Sequence, residues 1–500
     1  MLLAHLGRPL WRRIITVAVA ALMATAASPG TWQTAMADSG KPSHTGRPGH
    51  IGRPGHTGRP GGTALAWGLN SSGQLGDGTT TNRTTPVLVC APGQTPPCNP
   101  PLRHVRAMAG GGSHSLALLR NGTVLAWGGN GSGQLGDGTL TSRTTPMRVC
   151  APGQTAPCTR FLTHVRAIAA GSNYSLALLY NGTVLAWGGN STGQLGDGTT
   201  TLRTTPVRVC AVGQTAPCTR FLTHVRAISA QNEGVFSMAL RPNGTVLTWG
   251  NNSRGQLGDG TFTSRTTPVR VCAVGQTAPC TRFLTHVRAI SAGSFSSLAL
   301  RPNGTVLSWG LNSSGELGDG TRIGHGTPVR VCAVGQTAPC TRFLTGVRAI
   351  AGGGLWSLAL QTRGAVLSWG FNASGELGDG TRIGRLTPVR VCAVGQTAPC
   401  TRFLTGVRAL AAGGDTTLAL RERWAGRALW RPRVAVLAWG FNASGQVGDG
   451  ATVTRLTPVR VCAVGQTAPC TRFLTGVRSV AAGDRHSLAI SWSPRVRTVK

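Results

Sequence analysis

A tryptophan-containing segment recurs seven times in the 500-residue chain, with the pattern GxVLAWGxNxSGQLGDG. Repeats of one period are typical of folds in which each repeat is a supersecondary unit that buries its apolar face against its neighbours. The period therefore limits the fold to a solenoid, an array or a propeller. Spacings of 60, 60, 62, 60, 60 and 70 residues separate the tryptophans, which are Trp67, Trp127, Trp187, Trp249, Trp309, Trp369 and Trp439.

One complete repeat, residues 164–223, is predicted to contain four short strands and no helix. Apolar or β-branched runs alternate with glycine-rich turns, and no stretch has helical periodicity. Asn181-Gly182 links the second and third strands and supplies the positive φ angles of a tight hairpin. Four-stranded units without a helix favour propeller blades. The predicted strands are A at 165–171, B at 175–179, C at 183–187 and D at 206–210.

Neither end of the repeat region holds a complete blade. The region opens with a C-D strand pair at residues 63–90 and closes with an A-B pair at residues 477–490. An open solenoid would need capping repeats at its ends, and none is recognisable in the sequence. We therefore predict an all-β fold, a seven-bladed β-propeller of four-stranded blades, closed by pairing of the N-terminal C-D strands with the C-terminal A-B strands.

The repeat resembles a known family over residues 63–491. The segments VxAIAAGxxHSLAL and GTVLAWGxNxxGQLGDG are similar to the repeat of the regulator of chromosome condensation family. This resemblance implies a seven-bladed β-propeller. It implies less about function, because members range over guanine-nucleotide exchange, light sensing, ubiquitin-ligase scaffolding and secreted enzyme inhibition. With the export signal described next, the chain resembles an exported, bacterial-type member.

The N-terminus has the pattern of a secretory signal. Arg12 and Arg13 precede an apolar run at residues 14–27, and a small-residue cleavage site follows at residues 35–37. A membrane anchor is the alternative, but the run falls short of the ~20 residues that span a bilayer. We predict a signal peptide at residues 1–37, no transmembrane span, and a secreted or envelope-associated protein. The twin arginines are also compatible with twin-arginine export.

Three further segments differ from the repeats. Residues 38–62 form a Gly/Pro/His/Arg-rich hexad repeat that cannot bury a core, so we predict a disordered linker. Its histidines have no preformed metal geometry. The sixth repeat carries an insertion at residues 421–433, and residues 492–500 form a basic C-terminal tail.

The chain contains 14 cysteines, all in a Cys-x7-Cys pattern in the loop after strand D. Even pairing in an exported chain favours local disulfides, each worth about 2.5 kcal/mol in the chain-entropy model. Metal binding is the alternative, but the CxxC form is missing and a histidine accompanies only four loops. We therefore predict no metal, no cofactor and seven disulfides: Cys90–Cys98, Cys150–Cys158, Cys210–Cys218, Cys272–Cys280, Cys332–Cys340, Cys392–Cys400 and Cys462–Cys470.

Positive charge is in large excess. Removal of residues 1–37 leaves 46 basic residues against 14 acidic ones, a net charge of +32. A repeat carries several arginines and one GDG aspartate, which is expected to bond turn amides. Most arginines therefore have no internal salt bridge and are available to an acidic protein or an anionic polysaccharide. Nucleic acid would bind only nonspecifically.

The D-A loops and B-C turns of a propeller share one face, which we call the D-A face. The arginines beside the cysteine loops should make it basic. The insertion RERWAGRALWRPR lies on the same face and is expected to project as a hairpin, with Trp424, Arg427 and Trp430 as interface anchors. Packing of its tryptophans on the neighbouring blade is the alternative. The candidate binding arginines are Arg160, Arg166, Arg220, Arg226, Arg282 and Arg288.

The opposite face, which we call the A-B face, carries the A-B turns. These turns vary where the rest of the repeat is nearly constant, and Tyr174, Phe236 and Trp356 are candidates for a second binding surface. Drift without function is the alternative, because loops tolerate change. Only Trp356 is a tryptophan at such a turn, so the cluster of light-sensing members is missing.

Catalytic residues are not recognisable. The acids outside the GDG positions have no paired spacing, and Glu316 and Glu376 replace the glutamine of the GQLG segment. We predict a secreted, monomeric, non-catalytic scaffold that binds an acidic partner through its basic face. The alternatives are an extracellular enzyme inhibitor that uses the A-B face, and a propeller enzyme that acts on polysaccharides.

Overall fold

A computed structural model of the protein describes residues 62–230, 235–423 and 433–492. Several predicted segments lie outside these ranges and stay predictions. They are the signal peptide (1–37), the linker except for residue 62, the centre of the insertion (424–432) and the tail beyond residue 492.

The described residues form 28 strands and no helix. The strands make seven antiparallel sheets of four, in the order A-B-C-D, arranged as a seven-bladed propeller. A strands of neighbouring blades contact one another and therefore lie innermost, whereas the half-exposed D strands form the outer edges. This arrangement confirms the predicted fold class.

The strand bounds follow chain order, β1 to β28. The A strands are β3 Val105–Gly110, β7 Val165–Ala170, β11 Ala227–Ala230, β15 Ala289–Ala292, β19 Val347–Gly352, β23 Val407–Ala412 and β27 Val477–Ala482. The B strands are β4 His114–Leu119, β8 Tyr174–Leu179, β12 Phe236–Leu240, β16 Ser296–Leu300, β20 Trp356–Gln361, β24 Thr416–Arg423 and β28 His486–Ser491. The C strands are β1 Thr63–Gly68, β5 Val124–Gly128, β9 Val184–Gly188, β13 Val246–Gly250, β17 Val306–Gly310, β21 Val366–Gly370 and β25 Arg433–Gly440. The D strands are β2 Arg83–Leu88, β6 Arg143–Arg148, β10 Arg203–Arg208, β14 Arg265–Arg270, β18 His325–Arg330, β22 Arg385–Arg390 and β26 Arg455–Arg460.

The two ends of the chain share one blade. Its strand order is β2-β1-β28-β27, so the N-terminal C strand lies beside the C-terminal B strand. β1 pairs antiparallel with β28 from Thr63↔Ser491 to Gly68↔His486 without a break in register. The predicted closure of the ring is confirmed.

The D strand differs from the sequence prediction. The apolar run at residues 206–210 predicts a strand there, but β10 is Arg203–Arg208. Pairing with β9 begins at Arg203↔Gly188 and resumes at Val207 after a register shift. A proline is tolerated inside such a strand because it lies at the edge of the sheet, where the missing N–H is not needed.

One backbone carbonyl in each blade accepts buried side-chain hydrogen bonds from the following blade. The Gln74 carbonyl accepts hydrogen bonds from Trp127 Nε1 at 2.9 Å and from Ser115 Oγ at 2.8 Å, both in the following blade. A Cβ at Gly76, whose φ is +68°, would lie 2.6 Å from the indole nitrogen, so the GQLG segment needs glycine there. The same indole bond joins Trp187 to Gln134, Trp249 to Gln194, Trp309 to Gln256, Trp369 to Glu316, Trp439 to Glu376 and Trp67 to Gln446.

Removal of the shared blade tests the closure. Deletion of residues 476–500 removes β27 and β28 and leaves the β1 edge unpaired, so we expect aggregation, because exposed strand edges recruit other chains. Size-exclusion chromatography and thermal melting measure the result. Deletion of residues 493–500 alone is the control and should leave a monomer. A monomeric 476–500 deletion with an unchanged melting temperature would contradict the closure.

Candidate binding surface

The GDG aspartates are structural, as predicted. In the first C-D loop, Asp77 Oδ1 accepts hydrogen bonds from Thr79 N at 3.1 Å and from Asn70 Nδ2 at 3.1 Å. Its other carboxylate oxygen pairs with Arg83 Nη2 at 2.8 Å. The first arginine of the D strand is therefore not available to a partner. Equivalent pairs are Arg143–Asp137, Arg203–Asp197, Arg265–Asp259, Arg385–Asp379 and Arg455–Asp449, with His325–Asp319 in the remaining blade.

All seven predicted disulfides are formed, and the described residues contain no free cysteine. Each bond closes the loop after strand D on the D-A face. A glutamine inside the loop holds its end: Gln154 Oε1 accepts from the backbone N–H groups of Thr159 at 3.3 Å and of Arg160 at 3.2 Å. The loop therefore presents Arg160 from a backbone constrained at two points.

In six of the seven repeats the second arginine stacks on the phenylalanine of the following cysteine loop. The Arg148 guanidinium lies 5.3 Å from the centroid of the Phe161 ring, within cation–π range. Five more loops repeat this stack at 5.2 to 5.4 Å: Arg208 on Phe221, Arg270 on Phe283, Arg330 on Phe343, Arg390 on Phe403 and Arg460 on Phe473.

The third arginine of each repeat is exposed. Arg160, Arg220 and Arg282 use their backbone N–H groups to cap the loop glutamine, and their side chains have no ion pair or hydrogen bond with any described residue. These three predicted binding residues are therefore available to a partner. The equivalent exposed positions are Arg342, Arg402 and Arg472.

The fourth arginine of each repeat is occupied. Arg226 Nη2 donates to the carbonyls of Val287 at 3.0 Å and Arg288 at 2.8 Å, in the next blade. Arg166 donates in the same way to Arg226, and Arg288 to Arg348 at 2.7 Å. Burial lowers the pKa of Arg226 below its usual range. Arg166, Arg226 and Arg288 lack a carboxylate partner, which is why the sequence predicts them to be available, but they already donate to carbonyls of the next blade.

The acids are segregated from the exposed arginines. Of the acidic residues in the described part of the chain, the GDG aspartates, Glu316 and Glu376 lie in C-D loops, and Asp415 and Asp484 lie in A-B turns. Backbone hydrogen bonds join these loops and turns on the A-B face, as from Phe441 N to the Asp415 carbonyl at 2.8 Å. Glu422 is the one described acid on the D-A side, and it lies 3.5 Å from Arg408. Apart from Glu422, which pairs with Arg408, the described D-A face therefore has no carboxylate that would compete for the exposed arginines.

The A-B turn candidates are buried. Tyr174, Phe236 and Trp356 are at most 1% exposed, so the expectation of an exposed surface at these positions is wrong. Each is the first residue of a B strand, and its side chain packs against the next blade. The Tyr174 hydroxyl donates to the Phe236 carbonyl, and Trp356 Nε1 donates to the Gly414 carbonyl at 3.2 Å. The variation within the repeat therefore reflects packing between blades.

The A-B face instead exposes apolar tips on its C-D loops, which the sequence argument missed. These residues occupy variable positions just after the GDG segment. Their variation inside an otherwise repeated C-D loop is the signal that would have identified them. They are Leu140 at 52% exposure, Leu202 at 45%, Phe262 at 62%, Ile323 at 66%, Ile383 at 62% and Val453 at 62%.

The insertion begins as an extended hairpin. The ladder between β24 and β25 is longer than the B-C ladders of the other blades and extends to Arg423↔Arg433, as expected for a projecting hairpin. Trp424, Arg427 and Trp430 lie outside the described residues, so their role as anchors stays a prediction.

Glu316 and Glu376 are buried and hydrogen-bonded. Glu376 Oε2 accepts from Ser374 N at 2.9 Å, and Glu316 Oε2 accepts from Ser314 N at 2.8 Å. Burial, together with the nearby carboxylate of Asp415, raises the pKa of Glu376 to about 7. Burial also raises the pKa of Glu316. Neither side chain reaches the surface where a substrate would bind.

Residues 62–492, apart from the two gaps, contain no group of three or more His, Cys, Asp or Glu side chains that could hold a metal ion. In those ranges no helix has the length and apolarity needed to cross a membrane.

Comparisons with known proteins agree with this architecture. The family described as Regulator of chromosome condensation (RCC1) repeat matches residues 61–118, 121–178, 181–230, 243–300, 303–360, 363–420 and 435–490. The chain is 26% identical over 396 residues to the Ultraviolet-B receptor UVR8 of Arabidopsis thaliana, covering 79% of this chain and 76% of that protein. It is 29% identical over 452 residues to the mitochondrial RCC1 domain-containing protein RUG3 of the same plant, covering 86% and 88%.

Solved structures share the fold at lower identity. Human WBSCR16 has a TM-score of 0.62 and 20% identity, with 86% of this chain and 98% of that chain covered. Prp20p from Saccharomyces cerevisiae has a TM-score of 0.62 and 21% identity, with 86% and 91% covered, and its description reports binding properties to Gsp1p and histones. At these identities the likeness shows the fold alone.

The buried glutamates predict a pH-dependent stability. The Glu376 carboxyl has a pKa of about 7 against 4.5 for the unfolded chain. The folded protein binds the extra proton between these values, so stability falls as pH rises through this window, by about 3 kcal/mol. Glu376→Gln restores the residue of most repeats. Thermal melting should therefore show stabilisation at about pH 9 and little change at about pH 4.5.

A reverse substitution is the control. Gln74→Glu places a carboxyl at an equivalent buried position and should lower the melting temperature mainly at alkaline pH. The buried His114 and His486, whose pKa values burial lowers to about 3, are common to all three proteins and cancel in the comparison. A rise in the melting temperature of Glu376→Gln that is equal at both pH values would contradict the raised pKa of Glu376.

Proposed function

Because the chain belongs to the regulator of chromosome condensation (RCC1) repeat family, we propose that it is a non-catalytic binding scaffold whose D-A face engages a negatively charged partner. One observation carries the proposal: a series of exposed arginines, one in each of six cysteine loops, has no carboxylate neighbour among the described residues. The first, second and fourth arginines of such a repeat are held by an aspartate, a phenylalanine ring and carbonyls, as for Arg203, Arg208 and Arg226. The partner is an acidic protein or an anionic polymer.

Charge supports this proposal physically. The chain without residues 1–37 has a net charge of +32, and its described acids lie almost entirely on the opposite face. At physiological salt the screening length is ~8 Å, so each cysteine loop attracts anions locally. Several such loops on one face raise the rate of association with an anionic partner and make binding depend on salt.

Relatives support a scaffold role without naming the partner. UVR8 is described as a receptor, and Prp20p is described by its binding to Gsp1p and histones. These descriptions belong to those proteins. They agree with a propeller that acts by binding other molecules, and the buried, hydrogen-bonded carboxyls of Glu316 and Glu376 agree with a scaffold without catalysis.

Export from the cell is part of the proposal. The pattern of residues 1–37 predicts a secretory signal, and seven disulfides are typical of an oxidising compartment. We propose that the mature protein is a monomer that works outside the cytoplasm or in the cell envelope. The disulfide loops then have two roles, because they stabilise the fold and present the exposed arginines.

The A-B face supports a second candidate function, the binding of a protein such as an extracellular enzyme. Six exposed apolar loop tips lie on this face, including Phe262 and Ile323, and apolar side chains of this kind suit a protein contact. This candidate differs from the first in its salt dependence. Apolar contacts weaken little with added salt, whereas contacts of exposed arginines weaken strongly.

Two charge-matched triple variants test the proposed face. Arg220→Gln, Arg282→Gln and Arg342→Gln remove three charges from the D-A face, and Arg254→Gln, Arg322→Gln and Arg382→Gln remove three from the A-B face. Binding of the oxidised protein to immobilised poly-L-glutamate and polygalacturonate is measured over a salt gradient. At ~0.5 kcal/mol for each exposed pair, the first variant should bind about tenfold more weakly.

The control variant should remain within about twofold of the parent, because its arginines lie on the other face. Equal weakening of both triple variants would show that net charge, not the D-A face, determines binding. Weakening of the A-B variant alone would favour the second candidate. Pull-down from envelope and culture supernatant, eluted with salt, then identifies the natural partner.

A further inference from the structure

Six cysteine loops are nearly identical in sequence and structure. They read CAxGQTAPCTRFLT, with only proline or valine at the variable position, from Cys150 to Cys462. Each carries an arginine stacked on phenylalanine and an exposed arginine beside that phenylalanine. We call this group the Arg-Phe-Arg module. Its members are Arg148/Phe161/Arg160, Arg208/Phe221/Arg220, Arg270/Phe283/Arg282, Arg330/Phe343/Arg342, Arg390/Phe403/Arg402 and Arg460/Phe473/Arg472.

The loop backbone and the stacked arginine of a module are held in place. In the third loop, the disulfide closes the backbone, and Gln276 Oε1 accepts from Thr281 N at 3.3 Å and from Arg282 N at 3.1 Å. The phenylalanine ring holds one guanidinium at 5.4 Å. Because the loop backbone and the stacked arginine are already held, ordering them costs little conformational entropy on binding, and each of the six positions offers the same pair of cations.

The modules do not form a closed ring, because one blade lacks a module. The loop that begins at Cys90 reads CAPGQTPPCNPPLR, with Asn99, Pro100 and Pro101 where the others have threonine, arginine and phenylalanine. Leu88 replaces the stacked arginine, and Arg103 lies at the position of a threonine in the other loops. Six consecutive blades therefore carry modules, and the seventh interrupts them. The modules form a track with two ends around the D-A face.

We propose that this track binds a linear polyanion, a flexible chain with sulfate, phosphate or carboxylate groups at regular intervals, which contacts modules on several neighbouring blades at once. The inference rests on the proposed function in using the D-A face. Identical modules at one period match a ligand that is itself periodic. A folded acidic protein has no such repeat, and contacts with it would favour loops that differ from blade to blade.

The energetics favour a polymer over separate anions. One exposed pair of charges contributes little, so a single small anion binds a module weakly. A chain that already occupies one module reaches the next at a high effective concentration, and affinity rises by orders of magnitude without any new kind of contact. Affinity should therefore increase with chain length well beyond the proportional increase in the number of charges.

Two variants with the same charge separate a track from a general basic surface. Arg160→Gln, Arg220→Gln and Arg282→Gln leave three modules intact on neighbouring blades. Arg160→Gln, Arg282→Gln and Arg402→Gln leave three intact modules, each isolated from the next. The substituted side chains have no described partner, so both variants should melt as the parent does, and melting curves check this.

The probes are heparin oligosaccharides of increasing length and polyphosphate chains matched to them in charge, measured by calorimetry. The variant with neighbouring modules should bind chains that span three blades within about threefold of the parent, and the variant with isolated modules should bind them at least tenfold more weakly. Equal loss in the two variants, or affinity that is independent of chain length, would overturn the track.

Other outcomes separate the track from the proposed face. If the Arg220, Arg282 and Arg342 variant weakens binding while the two new variants are equal to each other, the D-A face binds anions but has no track. If the parent protein binds heparin but not polyphosphate, or the reverse, the result identifies the anionic group that the track prefers. A natural partner that proves to be a folded acidic protein, bound equally by both new variants, would also contradict the track.

Discussion

One backbone carbonyl in each blade carries the attachment on which the ring depends. The carbonyl of the glutamine in GQLG, or of the glutamate that replaces it, accepts the indole N–H of the next blade, and in most blades a serine hydroxyl as well. Both donors are buried, so loss of the acceptor would leave polar groups unpaired in the core. The bond from Trp67 to Gln446 makes the same contact across the closure, which joins the first and last parts of the chain.

Arginine has different structural roles at different positions of one repeat. Aspartate in the C-D loop fixes the first, a phenylalanine ring the second, and carbonyls of the next blade the fourth, as for Arg226. Only the third, such as Arg220, extends from a disulfide-bonded loop without a described partner. A strongly basic composition therefore contributes to stability at three positions and leaves a surface of defined pattern at the remaining one.

Much of the architecture could be predicted from the sequence. The tryptophan period gave the number of blades, the strand pairs at the two ends gave the closure, and the cysteine spacing gave the disulfides, because each depends on local pattern. The start of the D strand at Arg203 was missed because pairing across a register shift does not follow the apolar run. Burial of Tyr174 was missed because its side chain contacts Phe236 of another blade, 62 residues away.

The sequence by itself determined the period, the strand order, the local disulfides and the excess of positive charge, since these need only neighbouring residues and counting. Tertiary structure alone decided which charges are available. Arg160 and Arg166 lie six residues apart in the same segment, yet one is exposed and the other donates to the Arg226 carbonyl in the next blade. That difference arises from contacts between blades, which bring together residues about one repeat apart, and no pattern within a single repeat specifies those contacts.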